Sequence, residues 1–228
     1  LALNKMKIIF AFTLLLIFAN FTSTAQETYF PGSGEWVERS PGDYDIDAEK
    51  INAAIEFAKE NEYSESKDLR QAILKGFEGE PYHKIEGPTK KRGGPAGMIL
   101  KNGKIIDKCG DTKRVDMTFS VTKSFLSTTA LLALDEGLLQ DVGDPVNRYV
   151  WDETFEGAHN SKVTWEHLLQ QTSDWSGQLW GGYDWGDRPP SEGGLDDWRN
   201  RSLNEPGTVF EYNDVRVNLL AYSLLQVW

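Results

Sequence analysis

The sequence predicts an α+β fold, in which an antiparallel sheet accompanies a helical region. Three observations predict this class: two amphipathic helical segments near the start of the chain, a strand pair around a tight turn, and a strongly apolar helix after Ser120. The chain has 228 residues, 39% of them hydrophobic, enough for one catalytic-size domain or two small ones. We therefore expect an ordered globular protein rather than a disordered chain.

The two amphipathic segments are the first elements expected after a Pro- and Gly-rich arm. Asp47 is placed to cap the first helix, and a polar stretch separates it from the second. Their apolar residues recur at helical spacing, at Ile51, Ala54, Ile55 and Ala58 and again at Leu69, Ala72, Ile73 and Phe77.

The strand pair is expected on either side of Asn102-Gly103. Residues 98–100 and 105–106 are apolar, and Asn-Gly tolerates the positive φ angles that a tight hairpin turn requires. The sequence therefore predicts an antiparallel hairpin.

The apolar helix runs from Ser120 to Gly137. Residues 125–134 leave almost no polar face, so we expect this helix to be buried. Shorter helices are predicted after Asp144-Pro145 and after Thr164, and residues 215–228 have helical apolar spacing that reaches the last residue without a cap.

The charge and the cysteine content exclude several classes of function. Lys and Arg number 24 against 35 Asp and Glu, a formal net charge of -11, which is the wrong sign for a protein that follows phosphate backbones. We expect no nucleic-acid partner. The single cysteine, Cys109, and the scattered histidines predict neither an internal disulfide nor a metal site, and no cofactor is expected.

The N-terminus has the pattern of a secretory signal peptide. Lys5 and Lys7 precede an apolar run at residues 8–19, and small residues follow at 23–25. The run is shorter than the roughly 20 residues that span a bilayer, so no membrane span is expected once residues 1–25 are removed. We expect a periplasmic or secreted protein, whose oligomeric state the sequence does not predict.

Ser120 and Lys123 form an S-x-x-K pattern, which on a helix places the two side chains one turn apart on the same face. A serine hydroxyl is a weak nucleophile until a base takes its proton, and a desolvated lysine with a lowered pKa is such a base. The start of the helix would also favour an oxyanion.

A second S-x-x-K match, Ser64 and Lys67, shows that the motif alone is weak. It lies in an acidic connector without apolar neighbours that would lower a lysine pKa. We interpret it as a coincidence.

Tyr212 is the third candidate. It follows Pro206-Gly207 and precedes an apolar helix, and a phenol near a lysine relays protons more easily. The alternative is a half-buried structural tyrosine.

Three segments, residues 119–125, 168–173 and 206–212, together resemble the serine beta-lactamase-related family, which contains class C beta-lactamases, D-alanyl-D-alanine peptidases, esterases and amide hydrolases. The resemblance covers about residues 95–228 and implies a beta-lactamase/transpeptidase-like fold. Residues 26–94 would then form an arm and helices that pack on a catalytic domain at 95–228.

The resemblance also implies roles for the three residues. Ser120 would be the acylated nucleophile, Lys123 its base and Tyr212 the residue that relays protons to the leaving group. The substrate would be a small ester or amide. The alternative is a penicillin-binding or ligand-sensing domain that captures its ligand at Ser120 without turnover.

The first departure from the family's pattern concerns substrate binding. The family usually has Asn two places after its tyrosine, whereas here that place holds Asp214 and Asn213 lies one place earlier. A carboxylate there repels acidic substrates, so an esterase or amidase is expected rather than a beta-lactamase. Trp180 and Trp185 are further candidates, to roof a pocket for an apolar acyl group, with loop packing as the alternative.

The family's third motif, a Lys or His followed by Ser or Thr and Gly, is absent after Tyr212. We expect that the chain is C-terminally incomplete, with the last strands missing, and that these 228 residues alone are inactive and poorly stable. The alternative is natural loss of the motif.

Overall fold

A computed structural model of the chain describes residues 29–80, 83–187 and 195–228. These residues divide into two compact units, one of residues 29–63 and 94–114 and the other of 64–93 and 115–228. The predicted signal peptide, residues 1–25, lies outside the described residues. One boundary between the units, at residues 93 and 94, lies close to the expected boundary near residue 95, but residues 64–93 belong to the second unit and residues 94–114 to the first. The segments 1–25, 26–94 and 95–228 stay a prediction.

The first unit is built from one helix and one hairpin in its described part. In chain order these are α1 (Ala48–Glu60), β1 (Gly97–Lys101) and β2 (Lys104–Cys109), with a short 3-10 helix at Pro41–Tyr44. Asp47 caps α1, as its carboxylate accepts from two backbone N–H groups of the first turn. The turn residues Asn102 and Gly103 have φ of 50° and 74°, as the Asn-Gly pattern predicts.

The second unit is mainly helical. Its described helices are α2 (Leu69–Gly76), α3 (Thr122–Asp135), α4 (Gly157–Asn160), α5 (Trp165–Leu169), α6 (Leu195–Arg199) and α7 (Asp214–Leu225). Its described strands are β3 (Gln178–Leu179) and β4 (Gly182–Tyr183), and 3-10 helices lie at Phe119–Val121, Val146–Arg148, Glu153–Phe155 and Asp184–Gly186. Helices together with short antiparallel sheets confirm the α+β class.

The core of the second unit lies between α3, α5 and α7. Trp165 and Trp175 are its largest fully buried side chains, and Leu219 and Leu224 reach it from α7. Burial of an aromatic or aliphatic side chain of this size contributes roughly 1.5–3 kcal/mol, so this cluster holds α7 against α3. The active-site candidates lie on these two helices or next to them.

The expectation of a fully buried α3 is wrong. Ala130 and Ala133 are buried, but Phe125 and Leu131 keep 65% and 58% of their surface exposed. Leu126 and Leu134 are partly buried and pack against the core beside the two alanines, whereas Phe125, Leu131 and Leu132 are exposed. Apolar composition therefore indicated a core helix without telling which face is covered.

The final helix is shorter than expected. Helical spacing predicts residues 215–228, but α7 begins one residue earlier and ends at Leu225, where Gln226 forms the C-cap. Asn213 precedes α7 and caps it, and its side-chain oxygen accepts from the backbone N–H of Arg216.

Candidate active site

Ser120 lies in the 3-10 turn that leads directly into α3. The preceding residue, Phe119, has a φ of 47°, a left-handed conformation that bulky side chains rarely adopt. This turn presents the exposed Ser120 side chain at the N-terminal end of α3, where the helix dipole favours negative charge.

Lys123 follows Ser120 by one turn, as the spacing predicts. Its Nζ lies 3.4 Å from the Oγ of Ser120 and 2.6 Å from Oδ1 of Asp214, the first residue of α7. The lysine side chain is mostly buried, which strengthens its attraction to the carboxylate. Lys123 therefore joins the nucleophile candidate on one helix to the start of another.

Tyr212 completes the cluster. Its hydroxyl shares a hydrogen bond of 2.6 Å with the Oγ of Ser120, although the two residues are 92 positions apart. The ammonium of Lys123 also lies 4.7 Å from the centre of the Tyr212 ring. The structure thus brings together all three residues that the sequence assigns to catalysis.

The protonation of this cluster differs from the sequence-based expectation. Burial by itself would lower the pKa of Lys123, but its hydrogen bonds with Asp214 and Tyr212 outweigh burial and raise this pKa. The hydrogen bonds from Lys123 and Ser120 lower the pKa of Tyr212. The expectation that Lys123 has a lowered pKa is therefore wrong. The pKa that is lowered in this cluster is that of Tyr212.

The segment that carries Tyr212 is held by residues 171–172. The backbone carbonyl of Gln171 accepts from the N–H of Glu211 at 3.0 Å, and the carbonyl of Thr172 accepts from Gly207 at 2.8 Å. The side-chain oxygen of Gln171 accepts from the N–H of Asn213 at 3.3 Å. These bonds on both sides of Tyr212 fix the backbone from which its ring projects.

Asn213 does not have the substrate-binding position expected from the sequence. It keeps only 1% of its surface exposed, and its side-chain amide donates to the backbone carbonyl of Asp184 at 2.9 Å. Its side-chain oxygen caps α7. Both polar groups of Asn213 are therefore used inside the protein, and we correct its assignment to a structural one.

A buried ionic network, which sequence reasoning missed, lies behind the Tyr212 segment. The guanidinium of Arg216, 3% exposed, donates to Asp174 at 2.8 Å, to Asp184 at 3.0 Å and to Glu211 at 2.6 Å. Arg201 adds a second pair with Asp174 at 3.0 Å. An arginine among the apolar residues of a predicted helix was the one available signal, because such a charge needs buried partners.

The network shifts the pKa of the Asp174 carboxyl. Burial alone would raise its pKa, but hydrogen bonds from Arg201 and from the N–H of Asn204, with the charge of Arg216, lower it to about 2. The ionised form is therefore strongly favoured in the folded protein.

A pocket of about 410 Å³ opens beside Ser120. Ser120, Lys123 and Asp214 supply much of its polar wall, and its apolar wall consists of Phe77, Phe119, Leu126, Val217 and Ala221. Asp214 thus lines the same pocket as the nucleophile candidate, and its role in substrate binding stays a prediction. An apolar wall of this kind accommodates a hydrocarbon group.

Trp180 and Trp185 are not among the residues that line this pocket. Trp180 packs edge-on against Tyr222, with ring centres 6.2 Å apart, and Trp185 stacks on Tyr183 at 5.1 Å. The described contacts therefore agree with loop packing, the alternative given above for these two side chains.

The residues of the second S-x-x-K match are not among those that line the pocket beside Ser120. Residues 64–67 form the connector before α2, where the backbone carbonyl of Lys67 accepts from the backbone N–H of Arg92 at 2.9 Å.

Within the described ranges, no group of three His, Cys, Asp or Glu side chains is placed to hold a metal ion. The helices described here include none that is long and apolar enough to cross a membrane.

A nucleophile candidate at a helix start, hydrogen-bonded to a tyrosine and a lysine inside an α+β fold, defines a protein of the serine hydrolase type. The chain matches the Beta-lactamase family model over residues 84–224, which is more than half of its length, and it belongs to that family. A search of curated proteins found no match.

The pKa of Asp174 predicts an acid-labile fold. The pKa of this carboxyl has its ordinary value of 3.8 in the unfolded chain and is about 2 in the folded protein. Its stabilising contribution is therefore complete above pH 3.8 and is lost as the pH falls toward about 2. The urea midpoint, followed by tryptophan fluorescence, should decrease over this interval.

Asp174→Asn is the matched control, because it removes this titration. Its midpoint should fall less steeply than that of the parent protein. Equal slopes for the two proteins would contradict the shifted pKa.

Proposed function

We propose that this protein is a serine hydrolase that cleaves a small ester or amide through an acyl-enzyme on Ser120. The observation that carries the proposal is the 2.6 Å hydrogen bond between Ser120 and Tyr212, with the ammonium of Lys123 beside both side chains. A hydroxyl bonded to a residue that ionises easily is activated for nucleophilic attack. Membership of the Beta-lactamase family supports this reaction class.

Tyr212 is the proton acceptor in this proposal. Its pKa is lowered, whereas that of Lys123 is raised, so at neutral pH the lysine stays an ammonium and stabilises a phenolate. Tyr212 takes the proton of Ser120 as the oxygen attacks the carbonyl carbon, and then gives it to the leaving group. Lys123 acts as the fixed positive charge that makes this exchange possible.

Asp214 favours an ester or a linear amide over a beta-lactam as the substrate. Its carboxylate lines the pocket and accepts hydrogen bonds only, so a substrate carboxylate placed next to it is repelled. The apolar wall formed by Phe77, Leu126 and Val217 suits the hydrocarbon part of an acyl group.

Export to the periplasm or the medium is part of the proposal and rests on the signal pattern in residues 1–25 alone. Determination of the N-terminal residue of the mature protein tests it.

In the full-length protein, Ser120→Ala should abolish covalent labelling by a fluorophosphonate, because the reagent bonds only to an activated hydroxyl. Labelling is measured by intact mass and by peptide mapping. Ser64→Ala is the matched control, since it removes the other S-x-x-K serine, and it should label at the parental rate.

Two results would contradict this assignment: label on Ser64, or equal losses in both variants. A parent protein that is acylated by an ester once and releases no further product would favour the ligand-sensing alternative.

Tyr212→Phe should slow the labelling of Ser120 by about 100-fold, the usual contribution of a positioned proton acceptor. The labelling rate of the parent protein should rise with pH and then level off. The midpoint of this rise should lie below pH 10, because the pKa of Tyr212 is lowered from 10.0. Rates are measured between pH 6 and pH 10 with the fluorophosphonate.

Lys123→Arg separates the two candidate bases, because an arginine keeps the positive charge and cannot release a proton at these pH values. The rise with pH should persist in Lys123→Arg and disappear in Tyr212→Phe. The reverse pattern would assign the proton transfer to Lys123.

Asp214→Asn should raise the rate of acylation by a fluorescent penicillin relative to that by p-nitrophenyl acetate. Removal of one like charge near the substrate carboxylate is expected to change this ratio about tenfold. The ratio controls for the effect of the substitution on Lys123, which acts on both reagents. A parent protein that prefers the penicillin would refute the role given to Asp214.

A further inference from the structure

Asn218 is a polar side chain on the α7 wall of the pocket beside Ser120. Asp214, Val217, Asn218 and Ala221 all line this pocket from α7. Their spacing of three, one and three residues places them on one face of the helix. Asn218 therefore lies one turn beyond Asp214, between two apolar neighbours.

The carboxamide of Asn218 makes no side-chain hydrogen bond with any other described residue. This distinguishes it from Asn213, whose oxygen and nitrogen are both bonded inside the protein. Asn218 is exposed, so its donor and acceptor are available to a molecule that enters the pocket.

A carboxamide offers one acceptor oxygen and an N–H donor in the same plane, which is complementary to the C=O and N–H of another amide. The other residues with which α7 lines the pocket are Asp214, Val217 and Ala221. Val217 and Ala221 are apolar, and the carboxylate of Asp214 accepts hydrogen bonds but donates none. An acyl group that carries an amide can thus pair with Asn218 while its hydrocarbon part contacts Val217 and Ala221.

We propose that Asn218 determines specificity by selecting acyl groups that contain an amide close to the carbonyl that Ser120 attacks. The inference rests on the proposed function, in which the acyl group stays bonded to Ser120 after the leaving group has departed. A residue that lines the pocket beside Ser120 therefore contacts the acyl group during both acylation and deacylation.

The test compares two boronic acids of equal size, acetamidomethylboronic acid and 3-methylbutylboronic acid. The second replaces the amide by CH₂ and CH groups and the oxygen by a methyl group. In both adducts the Oγ of Ser120 bonds to boron, the boron becomes tetrahedral and anionic, and the serine proton is released. Affinities for the full-length protein and its variants are measured by isothermal titration calorimetry, which requires no turnover.

The parent protein should bind the amide compound about three- to tenfold more tightly than its apolar analogue, the usual effect of one neutral hydrogen bond. Asn218→Leu keeps the volume and removes both polar groups, so the ratio should fall to about one. Asn218→Ala should have the same effect and serves as the second variant. Asn147→Leu is the matched control, because Asn147 is also exposed but does not line the pocket, and it should keep the parental ratio.

The possible failures are distinguishable. A parental preference that survives in both Asn218 variants would overturn the role of Asn218 and leave the nucleophile intact. Absence of binding of both compounds to the parent, or equal binding to Ser120→Ala, would overturn the proposed function itself. A parent that prefers the apolar analogue would also overturn the inference.

Discussion

The buried guanidinium of Arg216 is the constraint on which the candidate site depends. A charge at 3% exposure is tolerated only with close ionic partners, and loss of one partner of such a pair typically costs 3–5 kcal/mol. Its partners Asp174, Asp184 and Glu211 come from three separate segments of the chain. Tyr212 directly follows Glu211, so the same charge that joins these segments also sets the position of the tyrosine opposite Ser120.

A second ion pair, between Lys123 and Asp214, decides how the protons are distributed. The carboxylate keeps the lysine charged, and the charged lysine in turn lowers the pKa of Tyr212. The division of roles that we propose for the tyrosine and the lysine therefore depends on the residue at position 214, which also lines the pocket. In the proposed mechanism, Asp214 influences both the proton acceptor and the charge that a substrate meets. Rate ratios, rather than single rates, separate these two effects.

Helix α7 links the network to the pocket because its two faces have different partners. Arg216, Leu219 and Leu220 are buried on the side that meets the core, whereas Asp214, Val217 and Asn218 line the pocket. The helix begins at the cap formed by Asn213, immediately after Tyr212. The candidate catalytic residue, the capping residue and the pocket-lining residues consequently follow one another within a few positions, and a change in this short stretch is expected to alter stability and pocket shape together.

The sequence by itself determined what depends on neighbours along the chain: the hairpin turn at Asn102-Gly103, the cap at Asp47, and the one-turn spacing of Ser120 and Lys123. It also supplied the family, because three ordered motifs resemble it. Only the tertiary structure decided that Asn213 is buried, that Asp214 pairs with Lys123, and that one face of α3 stays exposed. Periodicity and capping act over a few residues and are visible in the sequence, whereas the partner of a charge and the covered face of a helix are set by segments up to 92 positions away, such as Tyr212 from Ser120.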